Sequence, residues 1–318
     1  MSRLQEKPAA KWSRKDLLEL REMSAEEILL ILDTARSFRE VTTRAVKKVP
    51  ALRGKTVAIL FSEPSTRTRI SFELAAKRLS ADIISVQTAQ SSLVKGESLH
   101  DTARNIEAMR ADILVVRHGA SGVPHQLARV VSCSIVNGGD GSHEHPTQAL
   151  LDLFTIREHI GHIEGLKVSI IGDIAHSRVA RSNIAGMTKL GAKVTVCGPP
   201  TLIPRGIEQQ GVDVTYDVHE AIEDADVIYV LRLQLERQDE GLFPSIREYA
   251  ATFGINSAKM QRAKPTALVM HPGPINRGIE LSPDVADGSH SVILEQVTNG
   301  IAVRMACLYL IAGVKAGE

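Results

Sequence analysis

The sequence predicts an α/β protein of two domains, each a parallel sheet flanked by helices, with a C-terminal helix that returns to the first domain. Short apolar runs of strand length alternate with segments of helical periodicity along most of the chain. The segment 161–165 interrupts this alternation with two glycines, after which the pattern starts again. The 318 residues also exceed what one ordinary core serves. We therefore expect one domain at 14–155 plus 289–318 and a second at 156–288.

The first half of the chain begins with a helix and then alternates strands with helices. Ser24 and Glu27 have the spacing of a capping box and predict a helix to about Val41. The apolar run 56–61 predicts the first strand, and 70–79 predicts an amphipathic helix after it. Similar patterns predict strands at 83–86, 113–116 and 134–137, and helices at 99–109, 124–130 and from 146 onward.

The second half repeats the alternation. Apolar runs predict strands at 168–171, 194–197, 212–215, 226–231 and 267–270, and helical periodicity predicts helices at 177–190 and 289–314. Strands that alternate with helices form parallel sheets, and ligands bind such sheets at the carboxyl ends of the strands. We therefore expect polar residues that directly follow a strand to contribute to a site.

Composition excludes several classes of partner. The formal net charge is +1 and only 3% of the residues are aromatic, which argues against binding to nucleic acid or to an acidic membrane. No apolar run has the length of a membrane span, and Met1 to Arg14 lacks the apolar centre of a secretory signal. A cytoplasmic location is expected. Any positive charge that binds an anion must be local.

The three cysteines have no spacing typical of a metal site or of a disulfide framework. Cys133, Cys197 and Cys307 lie far apart, each in an apolar segment. We expect all three to be buried small hydrophobic residues in a reducing compartment.

The stretch 62–69, Ser-Glu-Pro-Ser-Thr-Arg-Thr-Arg, follows the first predicted strand. Pro64 and Ser65 mark a turn at a helix start, where unpaired amide groups and the helix dipole attract anions. The hydroxyls together with the guanidiniums of Arg67 and Arg69 would suit a phosphate dianion. A capped helix with two solvated arginines is the alternative. A nucleotide P-loop is excluded because the Gly-rich loop with its Lys is missing.

Polar residues also follow the next strands. Arg117 ends one strand and is by itself compatible with an ordinary surface charge. His143 and His145 have the His-x-His spacing of some metal sites, but no third ligand is near in sequence and a helix begins directly afterwards at Pro146. We therefore expect no metal. The alternative places His145 and Gln148 on one face of the first helical turn, where they can donate hydrogen bonds to a carbonyl and an amide.

Two arginines follow strands of the second domain. The turn that begins at Gly172 leads to Arg178, but it lacks the Gly-x-Gly-x-x-Gly spacing of a dinucleotide site. No cofactor is therefore expected. Arg232 and Gln234 follow a later strand. Each arginine alone suggests a solvated charge, whereas the two together match a substrate with two carboxylates.

Taken together, these motifs resemble the carbamoyltransferases, in particular the aspartate carbamoyltransferases. Order and spacing agree across nearly the whole chain. The ornithine-specific members have a Cys in a His-Cys-Leu-Pro segment, where this chain has His271-Pro272-Gly273-Pro274, and Arg232 suits an acidic amino acid better than a cationic one. The motifs are Ser65–Arg69, Lys95–Ser98, Arg117–His118, His145–Gln148, Gly172–Asp173 with Arg178, Arg232–Gln234 and His271–Pro274.

The resemblance implies transfer of a carbamoyl group from carbamoyl phosphate to the amino group of L-aspartate, the committed step of de novo pyrimidine biosynthesis. It also implies a homotrimer with shared active sites. By the same resemblance, Arg67, Thr68, Arg117 and His145 are catalytic. Ser65, Thr66, Gln148, Gly273 and Pro274 bind carbamoyl phosphate with them, Lys95, Arg178, Arg232 and Gln234 bind aspartate, and Ser92 and Lys95 enter from the neighbouring subunit.

Other functions remain as alternatives at this point. The chain could carbamoylate another amine such as ornithine, or serve as a catalytically silent scaffold. The polar set argues against the scaffold because it is complete in the sequence. Whether a regulatory chain or a dihydroorotase joins the trimer is left open.

Overall fold

A computed structural model of the chain describes residues 11–87, 97–233 and 243–313. Two sheets form in these ranges, and every strand pair in them is parallel, as the alternating sequence pattern predicts. The first sheet has the order β2-β1-β3-β4 and the second β7-β6-β5-β8-β9. The strands are β1 (Thr56–Phe61), β2 (Asp82–Gln87), β3 (Ile113–His118), β4 (Ser134–Asp140), β5 (Lys167–Ile171), β6 (Lys193–Cys197), β7 (Val212–Thr215), β8 (Val227–Val230) and β9 (Leu268–Met270).

Helices connect the strands and cover the sheets. The longest are the first, the fifth and the last. The helices are α1 (Ala25–Thr43), α2 (Thr66–Arg78), α3 (Leu99–Ala108), α4 (Val123–Ala128), α5 (Pro146–Ile160), α6 (Arg178–Lys189), α7 (Val218–Ile222), α8 (Ile246–Thr252), α9 (Ser257–Met260), α10 (Pro283–Ala286) and α11 (Ile293–Ala312). No helix in the described ranges is both long enough and apolar enough to cross a membrane.

The last helix returns to the first sheet. α11 packs against α1, α2 and α5, which confirms the expected path of the C-terminal segment. Met305 and Leu308 of α11 belong to the same buried cluster as Leu153 of α5 and Ile184 of α6. α5 also packs on α6, so the helices between the two sheets share one hydrophobic core.

Each sheet contains a point where the strand order reverses. In the first sheet β1 lies beside β3, and in the second β5 lies beside β8. A crevice opens at the carboxyl ends of the strands at such a point, because the two connections leave in opposite directions. The segments after β1, β3, β5 and β8 are those that the sequence marks with polar residues.

Helix α2 starts at Thr66 with Ser65 as its N-cap, in agreement with the helix start predicted at Pro64 and Ser65. The amphipathic pattern at 70–79 marks only the later part of α2. Thr66, Arg67 and Thr68 of the first turn are polar and line a cavity, so hydrophobic periodicity could not reveal them. The four short helices α7 to α10 were also missed, since segments this short show no period. The strand predicted at 226–231 is β8, and the last helix begins at Ile293.

The cysteines follow the prediction in two cases of three. Cys197 and Cys307 are buried, whereas Cys133 is half-buried, so the prediction for Cys133 was wrong. Cys133 lies in the turn just before β4, where its backbone N–H donates to the carboxylate of Glu107 instead of to the sheet. All three thiols are free.

Candidate active site

A cavity of about 730 Å³ lies where the two sheets direct the carboxyl ends of their strands toward each other. Its volume is within the range of small-molecule sites. Except for Arg69, every predicted site residue that the structure describes lines this one cavity. They are Ser65, Thr66, Arg67, Thr68, Arg117, His145, Gln148, Arg178, Arg232, Gly273 and Pro274. The other three, Ser92, Lys95 and Gln234, lie outside the described residues.

The first turn of α2 forms one wall. Ser65 is the N-cap, but its side chain makes no capping hydrogen bond, which leaves the hydroxyl for another partner. The first amides of a helix have no acceptor within the helix, and the helix dipole adds partial positive charge at this end. The arrangement is that of an anion site.

Arg69 does not join this site, contrary to the sequence prediction. It is absent from the cavity lining, and its Nε lies 3.9 Å from Oε1 of Glu73 one turn later. Residues two apart on a helix point in nearly opposite directions, so Arg67 and Arg69 cannot both face one ligand. Only Arg67 of the pair faces the cavity.

Arg67 and Arg232, one beside each sheet, face the same cavity. The pKa of Arg67 is lowered by burial among protein atoms and then by the charge of Arg232 from the second domain. Within the described ranges, Arg67 has no ion pair. Like charges that face one space raise the free energy of the site until an anion neutralises them.

Arg117, Thr68 and His145 converge on one point of the cavity. A terminal nitrogen (Nη1) of Arg117 lies 3.4 Å from Thr68 Oγ1, 3.5 Å from His145 Nε2 and 3.2 Å from the carbonyl oxygen of Gly138. Three donors from three elements (α2, β3 and the N-terminus of α5) therefore lie within contact distance. Such a cluster can stabilise negative charge on an oxygen.

The imidazole of His145 is neutral. Burial lowers its pKa well below the usual value, and the positive charges of Arg117, Arg178 and Arg304 lower it further. His145 is 4% exposed, and its Nδ1 is buried without a hydrogen-bond partner. A neutral ring donates from one nitrogen and accepts at the other, so His145 can donate a hydrogen bond without adding positive charge.

Glu63 was quoted in the sequence motif without a role, yet it links the two sheets. Its Oε1 lies 2.7 Å from Arg117 Nε and also contacts Arg178 at the start of α6. One carboxylate thus holds an arginine of each domain. The sequence signal for this role was a glutamate that stands between the end of a strand and the Pro-Ser turn.

Two further residues of the site were not predicted. Gly139 has a positive φ of 115°, and a Cβ there would lie 3.2 Å from Arg178 Nε and 3.3 Å from Arg117 Nη1, so only glycine lets both guanidiniums pack on the backbone. Arg304 on α11 is 4% exposed, and its Nη1 donates to Ser71 Oγ at 2.8 Å. Burial lowers the pKa of Arg304 to about 10. Nothing in the periodicity of α11 distinguishes Arg304 from a solvated charge.

Gln148 is oriented by a buried carboxylate. Its Nε2 donates to Asp152 Oδ1 at 3.0 Å, one turn later in α5. The carbonyl oxygen (Oε1) of Gln148 is therefore the end left for a ligand, where it accepts a hydrogen bond. The amide nitrogen has a second N–H, so the prediction that Gln148 donates to a ligand from this position stays a prediction.

The loop at 271–274 is held by a second buried pair. His271 Nδ1 accepts a hydrogen bond from the Gly273 N–H at 2.8 Å, so its Nε2 carries the proton and donates to Glu280 Oε1 at 3.2 Å. Gly273 has a φ of 65°, and a Cβ there would lie 3.3 Å from the guanidinium carbon of Arg67. Glycine is therefore needed for Arg67 to approach the loop.

Glu144, directly before His145, gives a pH-dependent prediction. Its side chain is 2% exposed and accepts from Ser182 Oγ, which itself accepts from the His145 N–H at 2.8 Å. Burial raises the pKa of Glu144 from 4.5 to about 7. The folded state thus holds a proton that the unfolded chain releases, so the free energy of unfolding falls between pH 4.5 and 7 by up to about 3 kcal/mol.

We expect Glu144→Gln to remove this fall. The variant should match the parent near pH 4.5 and exceed it above pH 7, as measured by urea unfolding at both pH values. Glu40→Gln, on the exposed side of α1, is the matched control. An equal shift at both pH values would show that Glu144 does not titrate in this window.

Family comparisons agree with the geometry. Residues 15–158 match the family model "Aspartate/ornithine carbamoyltransferase, carbamoyl-P binding domain", and residues 164–311 match the "Asp/Orn binding domain" model of the same family. The aspartate carbamoyltransferase catalytic subunit of Syntrophus aciditrophicus is 60% identical over 306 residues, covering 96% of this chain and 100% of that protein. The same subunit of Halothermothrix orenii is 62% identical over 300 residues, covering 94% and 96%.

Solved structures share the whole fold. Aspartate transcarbamoylase from Trypanosoma cruzi, in complex with carbamoyl phosphate and aspartate, has a TM-score of 0.86 at 31% identity and covers 95% of this chain and 98% of its own. Ornithine carbamoyltransferase from Pyrococcus furiosus has a TM-score of 0.85 at 33% identity, covering 96% and 100%. The fold is thus common to both substrate classes, and the choice between them depends on side chains.

Proposed function

This chain belongs to the aspartate/ornithine carbamoyltransferase family, and we propose that it transfers the carbamoyl group of carbamoyl phosphate to L-aspartate, giving N-carbamoyl-L-aspartate and phosphate. It is an aspartate carbamoyltransferase, as are relatives about 60% identical over nearly its whole length. The observation that carries the proposal is the meeting of Arg67 and Arg232 in one cavity, since one cation of each domain faces the same space.

The phosphate binds at the start of α2. Ser65, Thr66 and Thr68 supply hydroxyls, Arg67 supplies the guanidinium, and the first amides of the helix complete the set. Two observations support this site. The side chain of Ser65 makes no capping hydrogen bond, and Arg67 has no ion pair within the described ranges. A phosphate dianion neutralises the repulsion between Arg67 and Arg232 that lowers the pKa of Arg67.

The carbamoyl group binds between the two sheets. Its carbonyl oxygen receives hydrogen bonds from Arg117, Thr68 and His145, whose polar atoms already lie within 3.5 Å of Arg117 Nη1. Its amide donates to Gln148 Oε1 and to backbone carbonyls at Gly273 and Pro274. Asp152 supports this orientation because it engages the other end of Gln148.

Aspartate binds on the side of the second domain. Arg178 and Arg232 receive its carboxylates, and Lys95 and Gln234, which lie outside the described residues, complete the pocket. The neutral amine attacks the carbamoyl carbon, and a C–N bond forms as the carbonyl oxygen gains negative charge. The C–O bond to phosphate then breaks, and the departing phosphate accepts the proton that the amine loses.

Arg117, Thr68 and His145 stabilise the oxyanion of this intermediate. The neutral state of His145 suits the task, since its N–H donates without adding a further buried charge. No protein nucleophile takes part. A large share of the rate comes from holding the two substrates in contact.

The proposal extends to assembly and cellular role. We infer a homotrimer in which Ser92 and Lys95 reach the neighbouring cavity, a cytoplasmic location and a role in pyrimidine biosynthesis. Exposed apolar residues beside the cavity support the inference that a segment of the neighbouring subunit covers them. Leu294 and Val297 on α11 line the cavity and are 82% and 51% exposed. A regulatory chain or a dihydroorotase could bind the trimer as a further partner.

Carbamoyl transfer to aspartate and to ornithine should be assayed side by side. We expect activity with aspartate only, because two arginines repel a cationic amine side chain. A phosphonate joined to aspartate should inhibit the transfer and raise the melting temperature, and the native mass should be three times that of the chain. Activity with ornithine would support the alternative amine, and no activity with either would support the silent scaffold.

A further inference from the structure

Outside the cavity, the fold brings together two imidazoles and a carboxylate from three separate elements. His125 lies on α4, Asp140 at the end of β4 and His143 in the loop before α5. One ligand atom of each lies within 4.8 Å of the ligand atoms of the other two. None of the three lines the catalytic cavity.

The carboxylate of Asp140 is held rigidly. It is completely buried, and its Oδ1 accepts from Asn137 Nδ2 at 2.8 Å and from the Glu144 N–H at 3.2 Å. Its Oδ2 accepts from the Gly122 N–H at 2.6 Å and lies 3.1 Å from His143 Nδ1. Oδ2 is thus fixed at the position where it faces the inner nitrogen of His143.

A second carboxylate lies on the outer side of both rings, within hydrogen-bond distance of His143 and slightly beyond it for His125. Oε2 of Glu19 lies 3.2 Å from His143 Nε2 and 3.8 Å from His125 Nε2. When the two Nε2 atoms carry the protons, each Nδ1 keeps a lone pair that can bind a metal ion. The Nδ1 of His125 is buried and has no hydrogen-bond partner. In metal sites a carboxylate commonly accepts from the outer nitrogen of a ligand histidine and fixes the orientation of its ring.

We propose that His125 Nδ1, His143 Nδ1 and Asp140 Oδ2 bind one divalent transition-metal ion of the zinc class, with Glu19 orienting both histidines. Two imidazoles and one carboxylate favour such an ion over Mg²⁺ or Ca²⁺, which prefer oxygen ligands throughout. Tetrahedral bonds of about 2.0–2.2 Å place ligand atoms about 3.3–3.6 Å apart. His143 Nδ1 and Asp140 Oδ2 are already 3.1 Å apart, so the adjustment falls mainly on His125, whose ligand atom lies within 4.8 Å of theirs. The half-exposed ring of His125 has room to make that movement.

This proposal departs from the sequence prediction of no metal at His143 and His145. That prediction looked for a third ligand nearby in the sequence. Here the two further ligands come from α4 and β4, and His145 is not among them. The bound ion would tie the N-terminal segment at Glu19 to the loop that positions His145, and it would stabilise the fold by mass action.

The test titrates the metal-free full chain with Co²⁺ and follows the visible d–d absorption and the melting temperature. We expect one low-symmetry cobalt site per chain, a raised melting temperature and displacement by Zn²⁺. His125→Ala should lose both signals, while His162→Ala, an exposed histidine outside the cluster, should keep them. Glu19→Gln should weaken Co²⁺ binding about 10–100-fold, as is typical when a carboxylate that accepts from a ligand histidine is removed.

Two results would overturn the proposal. If Co²⁺ gives no band and no thermal shift, the cluster does not bind such an ion, and His143 serves only to bridge Asp140 and Glu19. If the band persists unchanged in His125→Ala, the metal binds elsewhere. Carbamoyl transfer by His125→Ala should equal that of the parent, which separates this test from the proposed function.

Discussion

Arg67→Ala should lower carbamoyl transfer by at least about 10²–10³-fold and leave the melting temperature unchanged. Arg67 faces the cavity beside Arg232 and makes no ion pair within the described ranges, so the fold gains little from its charge. Binding of the phosphate group depends on that charge. In other enzymes, loss of one preorganised donor that faces developing negative charge lowers kcat about 10²–10³-fold. Steady-state kinetics and thermal unfolding measure the two effects.

Arg69→Ala is the matched control for this variant. It removes the same guanidinium two positions along α2, where the side chain reaches Glu73 instead of the cavity. We expect nearly full activity from Arg69→Ala. Comparable losses in both variants would mean that a general electrostatic field, and not a specific contact of Arg67, binds the phosphate.

Asp152→Asn should both destabilise the protein and reduce its activity. Asp152 is fully buried and accepts four hydrogen bonds, one of them from the phenol of Tyr229 at 2.7 Å. The asparagine would turn an amide nitrogen toward two donors and leave them unsatisfied, at about 1–3 kcal/mol each. The donors are Gln148 Nε2, Gln296 Nε2, Asn183 Nδ2 and the Tyr229 hydroxyl.

These donors come from helices α5, α6 and α11 and from strand β8 of the second sheet, so the expected loss of stability reports on how these elements are joined. Gln148 should also lose its orientation, and kcat should fall even in molecules that remain folded. Urea unfolding at pH 8 and kcat at saturating substrates are the measurements, with Asp213→Asn, on an exposed position of β7, as the control. Full stability of Asp152→Asn would show that the amide finds other partners and that the network is not required.

The ionised form of Asp152 explains why an aspartate, and not an asparagine, is needed at this position. Burial raises its pKa to about 6, whereas the four donors favour the charged form. Above that pH the carboxylate satisfies every donor that points at it. The raised pKa also means that ionisation of this group lowers the free energy of unfolding as pH rises from 3.8 to about 6.

The sequence by itself determined the class of fold and most of the polar residues of the cavity. Strand-length apolar runs, each followed by polar residues, predict parallel sheets and mark the strand ends, because both are local properties of the chain. Arg117 lies near the end of β3, Arg178 and Arg232 follow β5 and β8, and all three line one cavity. The motif order also identified the family before any distance was measured.

Only the tertiary structure decided which of these side chains face each other. Arg69 leaves the anion site because of helix geometry, and Glu63 bridges arginines that are far apart in sequence. Asp152 and the cluster around His143 assemble from helices and strands of distant segments. Spacing along the chain reports periodicity within one element, whereas burial, pairing and ligand geometry depend on how separate elements pack.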